Sequence, residues 1–267
     1  MSKKRLALLG SGFLSGIVCD AYCKGILAEY EMVGILGRNA ETSGKLAAQT
    51  GAKACTSLEE LLETKPDIVA EAASVALVKE CAVPILSKGI GFVVLSIGAF
   101  ADTVFYEEAK QTAVDHDAKI YIASGAIGGF DVLRTIALME AYAPHDAYQT
   151  GITTRKGPKS LQNTPLFEDH LLTDTEDSHV FEGNAEKAIS LLPTKVNVAV
   201  ACSLASKGPK NTSVNIFSVP GFVGDDHCIV SETEGIKATV DIYSSTSAIA
   251  GWSIVAVLQN IVSPVVF

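Results

Sequence analysis

The chain has 267 residues, 48 % of them apolar and 19 % charged, with a formal net charge of −9. That length allows one large or two ordinary domains with a sizeable core, and the composition excludes a disordered chain. The acidic balance argues against nucleic acid as a partner, because a phosphate-binding face needs concentrated Lys and Arg.

The first predicted element is the apolar run Arg5-Leu6-Ala7-Leu8-Leu9, which reads as a strand and runs into Gly10-Ser11-Gly12-Phe13-Leu14-Ser15-Gly16. Gly10 lets the chain leave the strand in a tight turn. Gly12 lets backbone N–H groups approach a pyrophosphate, and the helix that follows presents its positive end to an anion. The third glycine of G-x-G-x-x-G is Ser15 here, a residue still small enough for close helix–strand packing. Cys19 and Cys23 sit four apart on this helix, a core spacing. The six cysteines form no C-x-x-C pair and no zinc spacing, so reduced thiols in the cytoplasm are expected. No metal site is expected either.

The second strand, Glu31 to Leu36, ends at Gly37-Arg38-Asn39. A dinucleotide-binding fold reads the adenosine ribose at this tip. No carboxylate stands there to repel a 2′-phosphate, and Arg38 can pair with one through its fork of donors. NADP is therefore expected to be tolerated or preferred over NAD; the alternative is a solvated arginine in a turn.

Strand and helix then alternate. Helices are predicted at 40–50, at 58–63 behind a Ser57/Glu60 capping box, at 75–88 and at 102–117. Strands are predicted at 53–55, 67–73, 91–95 and 119–122. Such alternation means crossovers and a parallel sheet covered on both faces, an α/β domain of Rossmann type over residues 1–125. Ligands bind beyond the carboxyl ends of such strands. Two stretches of small residues lie there, Ser96 to Asp102 and Ser124 to Gly129; ordinary turn chemistry is the alternative for each. From about residue 130 the rhythm changes. A helix at 131–142, a strand at 147–154, a polar loop from Arg155 to Pro165, helices at 186–192 and 195–205, and strands at 213–219, 228–234 and 236–243 describe a smaller α+β domain on a largely antiparallel sheet, residues 126–245. A final helix over 246–261 is expected to pack back on the first domain or across a homodimer interface. Residues 248–267 have the length of a membrane span, but Gln259, Asn260 and Pro264 argue for burial in protein instead. The N-terminal apolar run is too short for a signal peptide.

The second half resembles the L-aspartate dehydrogenases. The resemblance is carried by Ser96 to Asp102, Ser124-Gly125-Ala126-Ile127-Gly128-Gly129, Thr154-Arg155-Lys156 with Thr164-Pro165, and Phe181-Glu182-Gly183-Asn184-Ala185. It continues through Pro193 to Ala199, Asp226-His227-Cys228-Ile229 and Thr246-Ser247. With the nucleotide turn, these run in the family's order over essentially the whole chain. The resemblance implies oxidation of L-aspartate by NAD(P)⁺ to iminoaspartate, which yields oxaloacetate and ammonia, or the reverse reductive amination. Iminoaspartate also feeds quinolinate and hence NAD synthesis. His227 is then the catalytic candidate, since imidazole can take the proton that the substrate amine must lose or activate the water that hydrolyses the imine. His116, His145, His170 and His179 read as surface residues. Cofactor contacts are expected at Gly10, Gly12, Phe13, Leu14, Arg38, Ala73, Ser74, Gly98, Ala126 and Asn197, and substrate contacts at Ser124, Lys195, Thr246 and Ser247.

The chain departs from the family at Tyr243-Ser244-Ser245, where an Asn-Pro-Lys-like approach is usual, at Gly157 for proline and at Asp225 for asparagine. Lys195 replaces the first asparagine of Asn-x-Asn-Val-Ala, and either pairs with a second substrate carboxylate or starts a helix in solvent. These positions leave room for an NAD(P)-dependent dehydrogenase or imine reductase of a different amino or keto acid, or for a non-catalytic NAD(P) sensor.

Overall fold

The protein is described here from a computed structural model covering residues 3–192 and 196–267. Two compact units divide it, Met1–Gly125 with Ala248–Phe267, and Ala126–Ser247. In the first unit, short runs of Leu, Ile and Val form β1 (Lys4–Leu9), β2 (Tyr30–Leu36), β3 (Lys53–Cys55), β4 (Ile68–Glu71), β5 (Gly91–Val94) and β6 (Ile120–Ile122). Their order is β3-β2-β1-β4-β5-β6 and every pairing is parallel. This is the doubly wound order, whose switch point lies between β1 and β4. Both faces are buried, which is why β4 and β5 are apolar at nearly every residue.

Five helices connect these strands: α1 (Phe13–Cys23), α2 (Ala40–Thr50), α3 (Leu58–Glu63), α4 (Val75–Leu86) and α5 (Thr103–Asp115). Their starts are fixed by side-chain caps. Asn39 accepts from Glu41 and Thr42, Ser74 from Leu77 and Asp102 from Phe105. At α3 the Ser57 side chain accepts from the Glu60 N–H. The Glu60 carboxylate accepts from the Thr56 N–H and hydroxyl, one residue before the cap, so the predicted box is displaced by one position. Cys19 is buried, but Cys23 is exposed near the helix end and donates to the Gln49 carbonyl, so the predicted core spacing holds for one thiol only.

The second unit carries α6 (Phe130–Tyr142), β7 (Gln149–Lys156), β8 (Ser178–Asn184), α7 (Ala185–Leu191), α8 (Asn197–Leu204), β9 (Ser213–Ser218), β10 (Asp225–Thr233) and β11 (Ile236–Ser244). The sheet order is β11-β10-β7-β9-β8, antiparallel except for β7 beside β9. Three differences from the sequence reading share one cause. β7 runs through Arg155 and Lys156, which read as loop; β10 begins at Asp225, not Cys228; and β8 was not anticipated. In each case ladder hydrogen bonds to a neighbour distant in sequence keep polar residues extended.

Downstream of β11 the chain returns to the first unit as α9 (Ala248–Val262). The helix starts at Ala248, so Thr246 and Ser247 precede it instead of opening it. Gly251 lies against Ile17 of α1, Ile254, Val255 and Leu258 join the first unit's core, and the Tyr30 hydroxyl donates to the Leu258 carbonyl at 2.7 Å. Among the described residues, no helix is long and apolar enough to cross a membrane.

Candidate active site

The first unit's candidate site is built by the turn between β1 and α1. Gly10 has φ +116°, and a Cβ there would stand 2.4 Å from the Ala72 carbonyl oxygen of the neighbouring strand end. Only glycine meets both demands. Ser15 is buried against Gly10, 2.9 Å from where that Cβ would be, so the small residue in the third position does pack the helix closely on the strand. Gly12 differs from Gly10. It caps α1 without a side-chain hydrogen bond, and a Cβ placed on it would meet nothing within 4 Å. The protein therefore does not itself require glycine at 12. The open space, together with the uncapped N–H groups of the first turn, forms a cradle that fits a pyrophosphate. Phe13 stands at the rim, 65 % exposed, with Leu14 beside it.

The tip of β2 closes over this turn. A Cβ on Gly37 would sit 2.1 Å from Ser11 Oγ, and Ser11 is in turn 2.8 Å from Thr42 Oγ1. Asn39 is committed to capping α2. Arg38 is exposed, and it forms no hydrogen bond or ion pair among the described residues.

Glu71, which sequence reasoning passed over, ties together the loops beyond β4 and β5. It is fully buried; one carboxylate oxygen accepts from Ala73 N–H and Ser96 Oγ–H, the other from Leu95 and Ser96 N–H, at 2.6–3.2 Å. Burial pushes its pKa up, opposed by hydrogen bonds from Ser96, Ala73 and Leu95. Ala73 is thereby fixed through its backbone, whereas the Ser74 hydroxyl is taken up as the α4 cap. Gly98 lies buried in the 3₁₀ turn Ile97–Ala101 that follows.

The second unit supplies the titratable centre. On the buried face of its sheet, strand register sets two cross-strand rows. One reads Ser244, Asp225, Lys156, Ser218, Ser178; the next reads Ile242, His227, Thr154, Ile216, Phe181. His227 is 4 % exposed, with Nδ1 2.9 Å from Thr154 Oγ1 on the adjacent strand. Burial pushes its pKa down to about 4; the Asp225 carboxylate opposes this and the Lys156 ammonium adds to it. The imidazole is therefore neutral at pH 7 and has one nitrogen committed to Thr154. Lys156 is 5 % exposed, its Nζ 3.2 Å from Asp225 Oδ1. Nothing in the sequence pairs Lys156 with Asp225; only the register of β7 on β10 does. Gly128 and Gly129 lie over β11, against Ile242 and Val240. A hollow of about 210 Å³ opens around Gly151, Thr153, Asn215 and Val230. Cys228 is the one ionisable side chain lining it, so it offers no group suited to proton transfer near neutrality.

The remaining expected residues fall as follows. Ser124 lies two residues beyond β6 in the first unit, half-buried, and Ala126 opens the second. Asn197 is the first residue of α8. Thr246 is tied to Ser244 by two hydrogen bonds, with Ser247 next to it. Lys195 lies outside the described residues. The histidines read as surface residues are exposed, and His145 bridges Glu140 and Glu234.

Comparison with known proteins matches both halves of the chain. Residues 9–123 match the family model described as homoserine dehydrogenase, NAD binding domain, and residues 138–261 match aspartate dehydrogenase, C-terminal. An L-aspartate dehydrogenase of Methanococcus maripaludis is 32 % identical over 98 % of each chain, and one of Methanocaldococcus jannaschii is 27 % identical over the same share. The crystal structure of aspartate dehydrogenase from Thermotoga maritima superposes with a TM-score of 0.77 at 26 % identity, covering 99 % of both chains. An amine dehydrogenase of Mycobacterium smegmatis, 14 % identical over 97 % of this chain and 92 % of its own, shares the fold with a TM-score of 0.58. With one relative above 30 % identity along nearly its whole length, the chain belongs to the L-aspartate dehydrogenase family.

Proposed function

We propose that the protein oxidises L-aspartate to iminoaspartate with NAD(P)⁺, releasing oxaloacetate and ammonia after hydrolysis, and catalyses the reverse reductive amination. The observation that carries the mechanism is the neutral, buried His227 held by Thr154. The glycine cradle supports a dinucleotide: Gly10, Gly12, Phe13 and Leu14 would hold its pyrophosphate, and Arg38 a 2′-phosphate. Ala73, Ser74 and Gly98 would line the path beyond β4 and β5, and Ala126 and Asn197 are the remaining residues proposed to contact the cofactor. When bound, the nicotinamide supplies the acceptor for the hydride that leaves the substrate α-carbon. His227 does the proton work. A neutral imidazole takes a proton from the substrate ammonium so that the nitrogen lone pair can form the imine; once that proton has passed to solvent, the neutral imidazole is again able to activate the water that hydrolyses it. Ser124, Lys195, Thr246 and Ser247 would contact the substrate.

The protein is proposed to act in the cytoplasm as a homodimer, the latter on the exposed apolar Trp252, Val265, Val266 and Phe267 near its C-terminus. The test of the function is absorbance at 340 nm with L-aspartate and NAD⁺ or NADP⁺, and with oxaloacetate, ammonia and either reduced cofactor. Turnover is expected, with the NADP/NAD ratio reporting on Arg38. His227→Asn should cost about 10²–10⁴-fold in kcat while NADPH still binds by fluorescence. Tight NADPH binding with no turnover in either direction by the wild type would overturn the proposal.

A further inference from the structure

We propose that Lys156 binds the side-chain carboxylate of the substrate and thereby selects an amino-dicarboxylate; this rests on the dehydrogenase function proposed above. An ammonium carries three donors, and burying it is costly unless those donors are met. Lys156 is buried, yet among the described residues its Nζ makes no hydrogen bond. Its one partner is Asp225 Oδ1, at ion-pair distance but poorly aligned, and that oxygen is itself buried without a hydrogen bond. Asp225 is less enclosed than the lysine, with 42 % of its side chain exposed, so it compensates the buried cation only in part. The donors left over suit an anion.

Register places that anion site beside the proton acceptor. Lys156 and Thr154 lie two residues apart on one face of β7, and His227 stands opposite Thr154. Two residues along a strand span roughly 7 Å. A substrate whose amine meets His227 can therefore reach Lys156 with the carboxylate one carbon beyond Cα, hydrogen-bond lengths spanning the rest. Arg155, next in sequence, faces the opposite side of the sheet and is paired with Asp177. It cannot substitute.

Three measurements on wild type, Lys156→Met and Lys156→Arg test this: kcat/KM for L-aspartate against L-asparagine, calorimetric titration of the enzyme–NADP⁺ complex with succinate, and NADPH affinity. The Met variant should lose roughly 10- to 100-fold in succinate affinity and in the aspartate/asparagine ratio, the value of one charged hydrogen bond. Arg should restore part of both, and NADPH affinity should hold. A merely structural lysine would lower both amino acids alike and leave the ratio unchanged. Succinate bound equally by wild type and Lys156→Met overturns the proposal. If the wild type fails to oxidise aspartate, the dehydrogenase function falls and the succinate titration alone decides Lys156. If Lys156→Met does not fold, Lys156→Met/Asp225→Asn is compared with Asp225→Asn by the same titration.

Discussion

A histidine that titrates near 6.5 in an unfolded chain and at about 4 in this sheet couples protonation to folding. Between those values the unfolded chain takes up a proton that the native state refuses. Stability contributed by neutral His227 is therefore complete above pH 6.5, falls as the pH drops towards 4, and changes no further below. The full difference is roughly 3 kcal/mol. Urea unfolding at pH 7.5 and 4.5 should show wild type losing about 2–3 kcal/mol more than His227→Gln over that interval. Equal losses would mean that the imidazole is solvated and not held against Thr154. The same burial suits a base that must accept a proton at neutral pH without being already charged. The acid limb of kcat/KM should accordingly lie below the ordinary histidine range.

At the scale of the element, the β1–α1 turn separates two uses of glycine. Gly10→Ala puts a Cβ into the Ala72 carbonyl at a positive φ and should cost about 1–3 kcal/mol in thermal or urea unfolding. Gly12→Ala meets no protein atom, so the melting temperature should hold while NADPH affinity drops by about tenfold or more, ~1.4 kcal/mol. A Gly12→Ala protein that binds NADPH as wild type does would remove the pyrophosphate from this cradle. This turn was legible in the sequence because strand, turn and helix are contiguous and each glycine answers a local demand. The parallel sheet was legible for a similar reason, since its crossovers repeat a local pattern. The titratable centre was not. His227 drew notice through its family motif, but Thr154 and Lys156 meet it and Asp225 only through pairing between strands some 70 residues apart, and no local periodicity encodes that register. Glu71 was hidden likewise, because an acid inside an apolar strand reads as an exception until the N–H groups of Leu95 and Ser96 are found around it. β8 escaped because its polar residues gain their extended form from β9 alone.

Across the whole molecule, the chain leaves the first unit after Gly125 and comes back to it at Ala248. The dinucleotide cradle is encoded in the first 40 residues, yet the core beneath it is completed by the last 20. Ile254, Val255 and Leu258 are buried in that core, and Tyr30 of β2 holds the Leu258 carbonyl. Three such side chains contribute roughly 5–9 kcal/mol by burial, comparable with the whole stability of an ordinary domain, about 5–15 kcal/mol. A chain ending at Ser247 should therefore lose NADPH binding although every residue of the glycine turn and Arg38 is still present. Tyr30→Phe offers the milder form of the same test. It removes one buried hydrogen bond to a carbonyl within α9, at a cost of about 0.5–1.5 kcal/mol, with the melting temperature lowered and NADPH still bound. If the truncated chain binds NADPH as the full chain does, α9 is an accessory to the first unit, and the apolar character of its sequence must serve some other contact.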